Sequence, residues 1–478
     1  MHAYPLLIAA AAAATVAACT GPKVTEPVPA PAIAAAAPTT QAPTLSVPIE
    51  YFKLDNGLRV VLSSDHSVPL ATVAVYYNIG FRIEPRDRTG FAHLFEHMMF
   101  QGSTNLGKME FVKLIQNNGG VLNGSTRFDF TNYYEVVPAN TLETMLWAEA
   151  DRMGGLSITQ ANLDNQNGVV QNEVKVNVLN RPYGGFPWLD VPQYANRNWY
   201  NAHNFYGDLA DLNAATLKDV LAFHETYYGP NNAALVVAGD FDPAQARAWI
   251  EKYFGGIKSR PLPAQPDVSE PAQTEERRAS KVDALAPRPA LAIAYHVPER
   301  WTPEWLAFGV IDQLLLQGED SALTRKLVKE RGYADSVTGG INLLGNMYNY
   351  KGPMLWTLGL VHDPDHSTDE ILADLDATIR QIQDQPVSSA DFERALTKMR
   401  SGFYNVIGSA SRFGLVDLLA SLALFDDDPA RINRLDADFR SVTPELIQQT
   451  ARKYLVPSNR TVLTIEPAKV SAAPGGGS

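Results

Sequence analysis

A chain of 478 residues exceeds what one ordinary hydrophobic core can organise, so two or more domains are expected. With 45% hydrophobic and 19% charged residues it has a globular composition, and its net charge of −12 excludes a nucleic-acid partner or a polybasic membrane contact. The single cysteine, Cys19, excludes an intrachain disulfide and leaves only His and carboxylates to build any zinc site.

The chain opens with Pro5-Leu6-Leu7-Ile8, an alanine run and Val16-Ala17-Ala18-Cys19. An apolar stretch closed by small residues reads as an export signal over residues 1–19. It resembles a bacterial lipoprotein signal, which implies lipidation of Cys19 and a periplasmic, lipid-anchored envelope protein. The segment departs from that pattern in having no Lys or Arg before the apolar run, only His2, so a plain cleaved signal or an uncleaved anchor stay open. Residues 20–47, rich in Pro, Ala and Thr, read as a disordered tether.

The first folded half is expected over 48–257. It starts with two apolar runs around Asp55-Asn56-Gly57, a hairpin signal. A strand at Ala71–Tyr77 and a helix around His93 follow, then a helix at Glu110–Gln116 and strands at Val121–Thr126 and Thr131–Val137. Helices are predicted at Thr141–Met153, from about Thr159 to Asn177, and at Thr216–Tyr227, with a strand at Ala233–Ala238. Residues 258–288, rich in Pro, Ala and charge, read as a linker, residues 289–467 as a second half and 468–478 as a flexible tail.

The second half repeats the first. Met98-Met99-Phe100-Gln101-Gly102 matches Leu314-Leu315-Leu316-Gln317-Gly318 at an offset of 216 residues. Thr216, Tyr227, Pro230 and Asn232 match Thr443, Tyr454, Pro457 and Asn459 at an offset of 227. Two blocks in the same order on either side of a linker imply a duplicated domain.

The chemistry gathers in His93-Leu94-Phe95-Glu96-His97. On a helix, positions i and i+4 share a face, so both imidazoles can reach one metal ion while Glu96 reaches a water beside it. A metal that acidifies water, next to a carboxylate that takes its proton, is the equipment for hydrolysis. The bland alternative is two incidental His on a polar helix face. The 216-residue offset places Gly309-Val310-Ile311-Asp312-Gln313 at the equivalent positions, so the second copy lacks both His. A third ligand must be His, Asp or Glu. Glu173 is one candidate, because Val170, Glu173 and Val174 share a helix face and a carboxylate on an apolar stripe needs a partner. An ion pair at the end of that stripe serves as well.

Several ordered motifs resemble the pitrilysin/insulinase zinc metallopeptidases, in particular their processing-peptidase-like branch. They are Gly90-Phe91-Ala92-His93-Leu94-Phe95-Glu96-His97-Met98-Met99-Phe100, the run from Gly119 to Thr126, Asp129, Thr131, Tyr133, Asp151-Arg152-Met153 and Pro230-Asn231-Asn232. The resemblance covers most of residues 48–467. It implies an α+β fold of two homologous sandwich halves forming half of a clam-like chamber. It further implies Zn2+ held by His93, His97 and Glu173, the last at the family's spacing of 76 residues after the second His, with Glu96 as general base. Substrate peptides would add a strand along Val121, Leu122, Asn123, Gly124 and Ser125. The function implied is a zinc-dependent endopeptidase or oligopeptidase; a non-catalytic scaffold subunit is the alternative.

Two departures bear on mechanism. The family's outer-shell Glu, seven residues before the third ligand, is Gln166 here. Single-chain members also carry an Arg and a Tyr around a glycine in the second half, and anchoring on Gly332 places Val328 and Asp335 there. Neither can donate to an oxyanion. A shifted register would use Arg325 or Arg331 with Tyr333. The expectation is therefore a metal-bearing subunit whose homologous partner supplies Arg and Tyr.

Overall fold

The computed structural model describes residues 46–468. Cys19, the signal segment and nearly all of the tether lie outside the described residues, as does the tail beyond 468. No helix among the described residues is long and apolar enough to cross a membrane.

Two mixed sheets organise the fold. The first contains β1 (Glu50–Lys53), β2 (Arg59–Ser64), β3 (Leu70–Tyr77), β4 (Val121–Thr126), β5 (Thr131–Pro138) and β6 (Ala233–Gly239) in the order β1-β2-β6-β3-β5-β4. The second contains β7 (Arg277–Asp283), β8 (Ala290–His296), β9 (Thr338–Ile341), β10 (Leu355–Val361) and β11 (Arg460–Pro467) in the order β7-β11-β8-β10-β9. With β7 set on β2 and β11 on β6, the orders coincide, apart from β1, which has no counterpart. The polarities coincide too: β2–β6 and β7–β11 are the parallel pairs, and the remaining equivalents are antiparallel. The fold is α+β, built of two homologous halves.

The linker expected over 258–288 is shorter in the structure, because β7 lies inside it. As an edge strand, β7 buries only alternate residues partially, so Arg277-Arg278-Ala279-Ser280-Lys281-Val282-Asp283 carries no apolar signal. The tether likewise ends earlier than expected. Val47 is buried, its N–H donating to Asn433 Oδ1 at 2.7 Å and its carbonyl accepting from Asn433 Nδ2 at 3.0 Å. The long helix expected to reach Asn177 runs as α-helix over Gln160–Val174 and continues as a wider π-type turn over Lys175–Leu179. An unexpected helix, Pro243–Phe254, closes the first half.

The halves exchange helices. Phe413–Asp426, from the second half, packs on β2, β3 and β6; Asp190–Ala195, from the first, packs on β7, β8 and β11. The 227-residue offset carries Asp190 onto Asp417, so equivalent segments make the exchange. Asp190 pairs with Lys281 of β7 at 2.8 Å, and Asp417 accepts from the Tyr76 hydroxyl of β3 at 2.9 Å. Strand alternation divides the first sheet accordingly. Val61, Ala74, Tyr76 and Val236 share a core with the second half. Val60, Val73, Val75, Leu235 and Val237 face Phe91, Leu94, Phe95 and Met98 of the helix Phe91–Met98. That helix carries the His pair.

Candidate metal centre

The helix Phe91–Met98 is fixed by its apolar face and by its N-terminus. Phe91, Leu94, Phe95 and Met98 are fully buried at i, i+3, i+4 and i+7. Gly90 begins the helix in the left-handed region, φ 82°, without a side-chain cap. The buried Glu84 carboxylate takes that role instead, accepting from the N–H groups of Gly90 (2.8 Å) and Ala92 (2.5 Å). His93, Glu96 and His97 then occupy the opposite face.

Glu173, from the helix Gln160–Val174, meets that face. The Nε2 atoms of His93 and His97 lie 3.4 Å apart. Glu173 Oε1 is 3.6 Å from His93 Nε2, and its Oε2 is 3.4 Å from His97 Nε2. Ligands of a tetrahedral zinc, bonded at about 2.0–2.1 Å, sit roughly 3.3–3.4 Å from one another. The three groups therefore fit such an ion without rearrangement. They are also the one group of three metal-binding side chains found among the described residues. Burial pulls the His93 pKa down to about 4, so this imidazole is neutral at pH 7 and its nitrogen is available to a metal. His97 and Glu173 are a fifth to a quarter exposed, leaving the site open on one side.

Glu96 stands beside this cluster against the sheet edge. Its Oε2 accepts a hydrogen bond from Thr126 Oγ1 at 2.8 Å. Burial raises its pKa, and the Thr126 bond and the His97 charge oppose that rise. Among the described residues, strand β4 forms the edge of the first sheet with β5 as its sole strand neighbour, so its outer backbone groups are unpaired by the sheet. Val121 is 63% exposed and Asn123 is exposed, whereas Leu122, Gly124 and Ser125 are half-buried. A Cβ at Gly124 would come within 3.3 Å of Glu96 Cγ, so the residue is small where the strand passes the carboxylate. The five residues expected to bind substrate thus line an open edge next to Glu96.

The remaining expected positions sit elsewhere. Gln166 is buried on the Glu173 helix, but its amide donates to Asn165 Oδ1 at 2.9 Å, and among the described residues no hydrogen bond joins it to the triad. Val328 packs against the core of the second half. Asp335 pairs with Arg288 at 2.9 Å on the surface. Arg331 and Tyr333 are both held by Asp374, at 2.8 and 2.6 Å, so the shifted register is occupied by a structural cluster. In the second copy, Asp312 takes the place of Glu96 and accepts from Trp356 Nε1 (2.7 Å) and Gln317 Nε2 (3.2 Å). Burial raises it to about 6.

Two residues escaped the sequence reading. Thr126 holds Glu96, and strand alternation could have found it, because Leu122, Gly124 and Thr126 share the helix-facing side of β4. Tyr206 donates to Glu173 Oε1 at 3.2 Å from a loop 33 residues away, and no local pattern marks it. The Thr126 bond makes a pH prediction. A general base works deprotonated, so activity falls as pH drops through its pKa. Removing a donor that stabilises the carboxylate raises that pKa. Thr126→Val is therefore expected to move the acid limb of the kcat/KM profile to higher pH and lower activity most below neutrality. An unmoved limb in a pH–rate series refutes the role.

Comparison with known proteins agrees with this architecture. Residues 59–182 match the family model described as Insulinase (Peptidase family M16), and residues 214–399 match the one described as Peptidase M16 inactive domain. The chain belongs to peptidase family M16. Among M16 relatives, the zinc protease PqqE of Helicobacter pylori is 25% identical over 87% of this chain and 93% of its own length. The mitochondrial-processing peptidase subunit beta of Bos taurus is 26% identical over 42% of this chain and 41% of its own. The crystal structure of a protease from Helicobacter pylori superposes with a TM-score of 0.80 at 24% identity, covering 88% of this chain and all of that one. A Pseudomonas fluorescens structure described as a peptidase M16 inactive domain gives 0.78 at 16% identity, covering 90% and 100%. These structures share the M16 fold with this chain.

Proposed function

We propose that this M16 chain is a zinc-dependent endopeptidase acting on extended peptides, and that it is the metal-bearing subunit of a two-chain enzyme. The observation that carries the reading is the near-tetrahedral spacing of His93, His97 and Glu173 beside a carboxylate and an open strand edge. His93, His97 and Glu173 would hold zinc, which supplies Lewis acidity toward a water and a peptide carbonyl.

The chain's own residues do the rest. Strand β4 pairs with the substrate backbone and lays it across the face that carries Glu96, so recognition falls on main chain and leaves side-chain choice open. Glu96 takes the proton of the attacking water and returns it to the departing amine. Burial raises its carboxyl pKa, and the Thr126 hydrogen bond opposes that rise. Thr126 holds the carboxylate in place. Support for a partner comes from the engagement of Arg331 and Tyr333 with Asp374, and from relatives named as a subunit. The export signal adds an envelope location with Cys19 as lipid anchor.

The test is metal analysis. The purified chain is expected to hold one equivalent of zinc, and His97→Ala to lose it under conditions where outer-shell changes cost only ~10–100-fold in affinity. Chelation is expected to abolish peptide cleavage by the enzyme and added zinc to restore it. A chain that takes up no zinc, or that cleaves as well without it, overturns the reading; the scaffold alternative predicts no cleavage at any metal content.

A further inference from the structure

Tyr206 touches two of the three metal ligands. Its hydroxyl donates to Glu173 Oε1 at 3.2 Å, and its ring stands edge-on to His93 with centroids 5.1 Å apart. Apart from the two imidazoles, it is the one side-chain donor that reaches Glu173 among the described residues.

The loop carrying Tyr206 is built to hold it there. Tyr206 N–H donates to Asn204 Oδ1 (2.8 Å), and Asp208 N–H donates to Thr89 Oγ1 (2.8 Å). Thr89 in turn donates to Asp211 Oδ2 at 2.6 Å. Backbone lies against backbone at this junction. Gly207 has φ 69°, and a Cβ there would fall 2.3 Å from Gly90 N; one at Gly90 would fall 2.5 Å from the Tyr206 carbonyl. The loop is thereby pinned to the N-terminus of the His-bearing helix, and Tyr206, 6% exposed, spans from that helix to the helix of Glu173.

We infer that Tyr206 is a positioning residue for the metal site, its hydroxyl fixing the Glu173 carboxylate so that the two histidines and the carboxylate are arranged before the ion arrives. The inference rests on the reading of His93, His97 and Glu173 as metal ligands. A glutamate has three side-chain torsions, and Glu173 is about a quarter exposed, so without an anchor it samples many orientations. One lone pair of Oε1 accepts the phenol, and Oε2, facing His97, is left for the ion. Outer-shell hydrogen bonds of this kind raise ligand basicity and fix its direction. In this chain, where Gln166 bonds to Asn165 instead, the tyrosine fills that place.

The experiment compares zinc affinity of the full chain and its Tyr206→Phe variant by competition with a chromophoric chelator, with thermal melting of the metal-free forms alongside. Phenylalanine keeps the ring packing and removes the hydroxyl. Zinc affinity is expected to fall ~10–100-fold, with the metal-free melting temperature unchanged. In a Glu173→Ala background the same substitution is expected to cost nothing further, because the hydroxyl acts through Glu173. Unchanged zinc affinity in Tyr206→Phe, or an equal loss in the Glu173→Ala background, overturns the inference. Failure of the unmodified chain to bind zinc overturns the metal-site reading and the inference with it, so the two failures are distinguishable.

Discussion

Glu96→Gln is expected to keep its zinc and to lose peptide hydrolysis by about 10²–10⁴-fold in kcat. The substitution is nearly isosteric, and the amide oxygen can still accept from Thr126 Oγ1, so the side chain keeps its place against β4. The candidate metal ligands are other residues, with imidazole nitrogens and carboxylate oxygens within 4.8 Å of one another, and none is altered. What disappears is the basic carboxylate that, in the proposed mechanism, takes a proton from water. The loss is therefore expected in kcat, with KM for a peptide that pairs along β4 little changed, because strand addition uses the backbone of Val121–Thr126. The measurement is zinc content and steady-state kinetics on the same preparation. Undiminished kcat removes Glu96 from the mechanism; lost zinc means the residue supports the metal rather than the proton transfer.

Local chemistry was legible in the sequence to the extent that helix and strand periodicity could express it. His93, Glu96 and His97 share one face because helical spacing dictates it, and their absence from the second copy followed from a constant offset. Glu173 was different: on its own helix it read equally as an ion-pairing residue, and only the family's spacing singled it out. Tyr206, which acts across a contact 33 residues distant, and the Glu84 carboxylate, which caps the His-bearing helix from the preceding loop, carry no periodic mark. The same holds for the helix exchange. Asp190–Ala195 and Phe413–Asp426 carry no mark showing that each covers the other half's sheet; only the shared sheet order and the 227-residue offset reveal them as equivalent. Strand β7 was misread as linker because an edge strand need not be apolar.

The second copy has Gly309 and Gln313 where the first has His93 and His97. Asp312, at the position of Glu96, is held by Trp356 and Gln317, so a carboxyl that stands beside the His cluster in one half is a core hydrogen-bond acceptor in the other.

Mixing the chain with a homologous subunit that carries the Arg and Tyr is expected to raise peptide cleavage by at least about 10²–10³-fold, the cost of one missing oxyanion donor. The tetrahedral intermediate of peptide hydrolysis places negative charge on the former carbonyl oxygen, and a metal alone leaves one side of that oxygen without a donor. Within this chain, four of the five nearest sequence equivalents are unsuited or engaged elsewhere. Val328 has no polar side-chain atom, Asp335 is paired with Arg288 and would repel the charge, and Arg331 and Tyr333 converge on Asp374. Releasing the last two would leave Asp374 with Lys326, at 3.7 Å, as its remaining partner, at a cost in lost hydrogen bonds. The division of labour proposed above accordingly assigns the donors to a second polypeptide. Replacing the partner's Arg or Tyr should return the mixture to the rate of the lone chain without affecting zinc content. Equal activity of the lone chain and the mixture would show that this subunit completes its own oxyanion site, and the division of labour would then have to be abandoned.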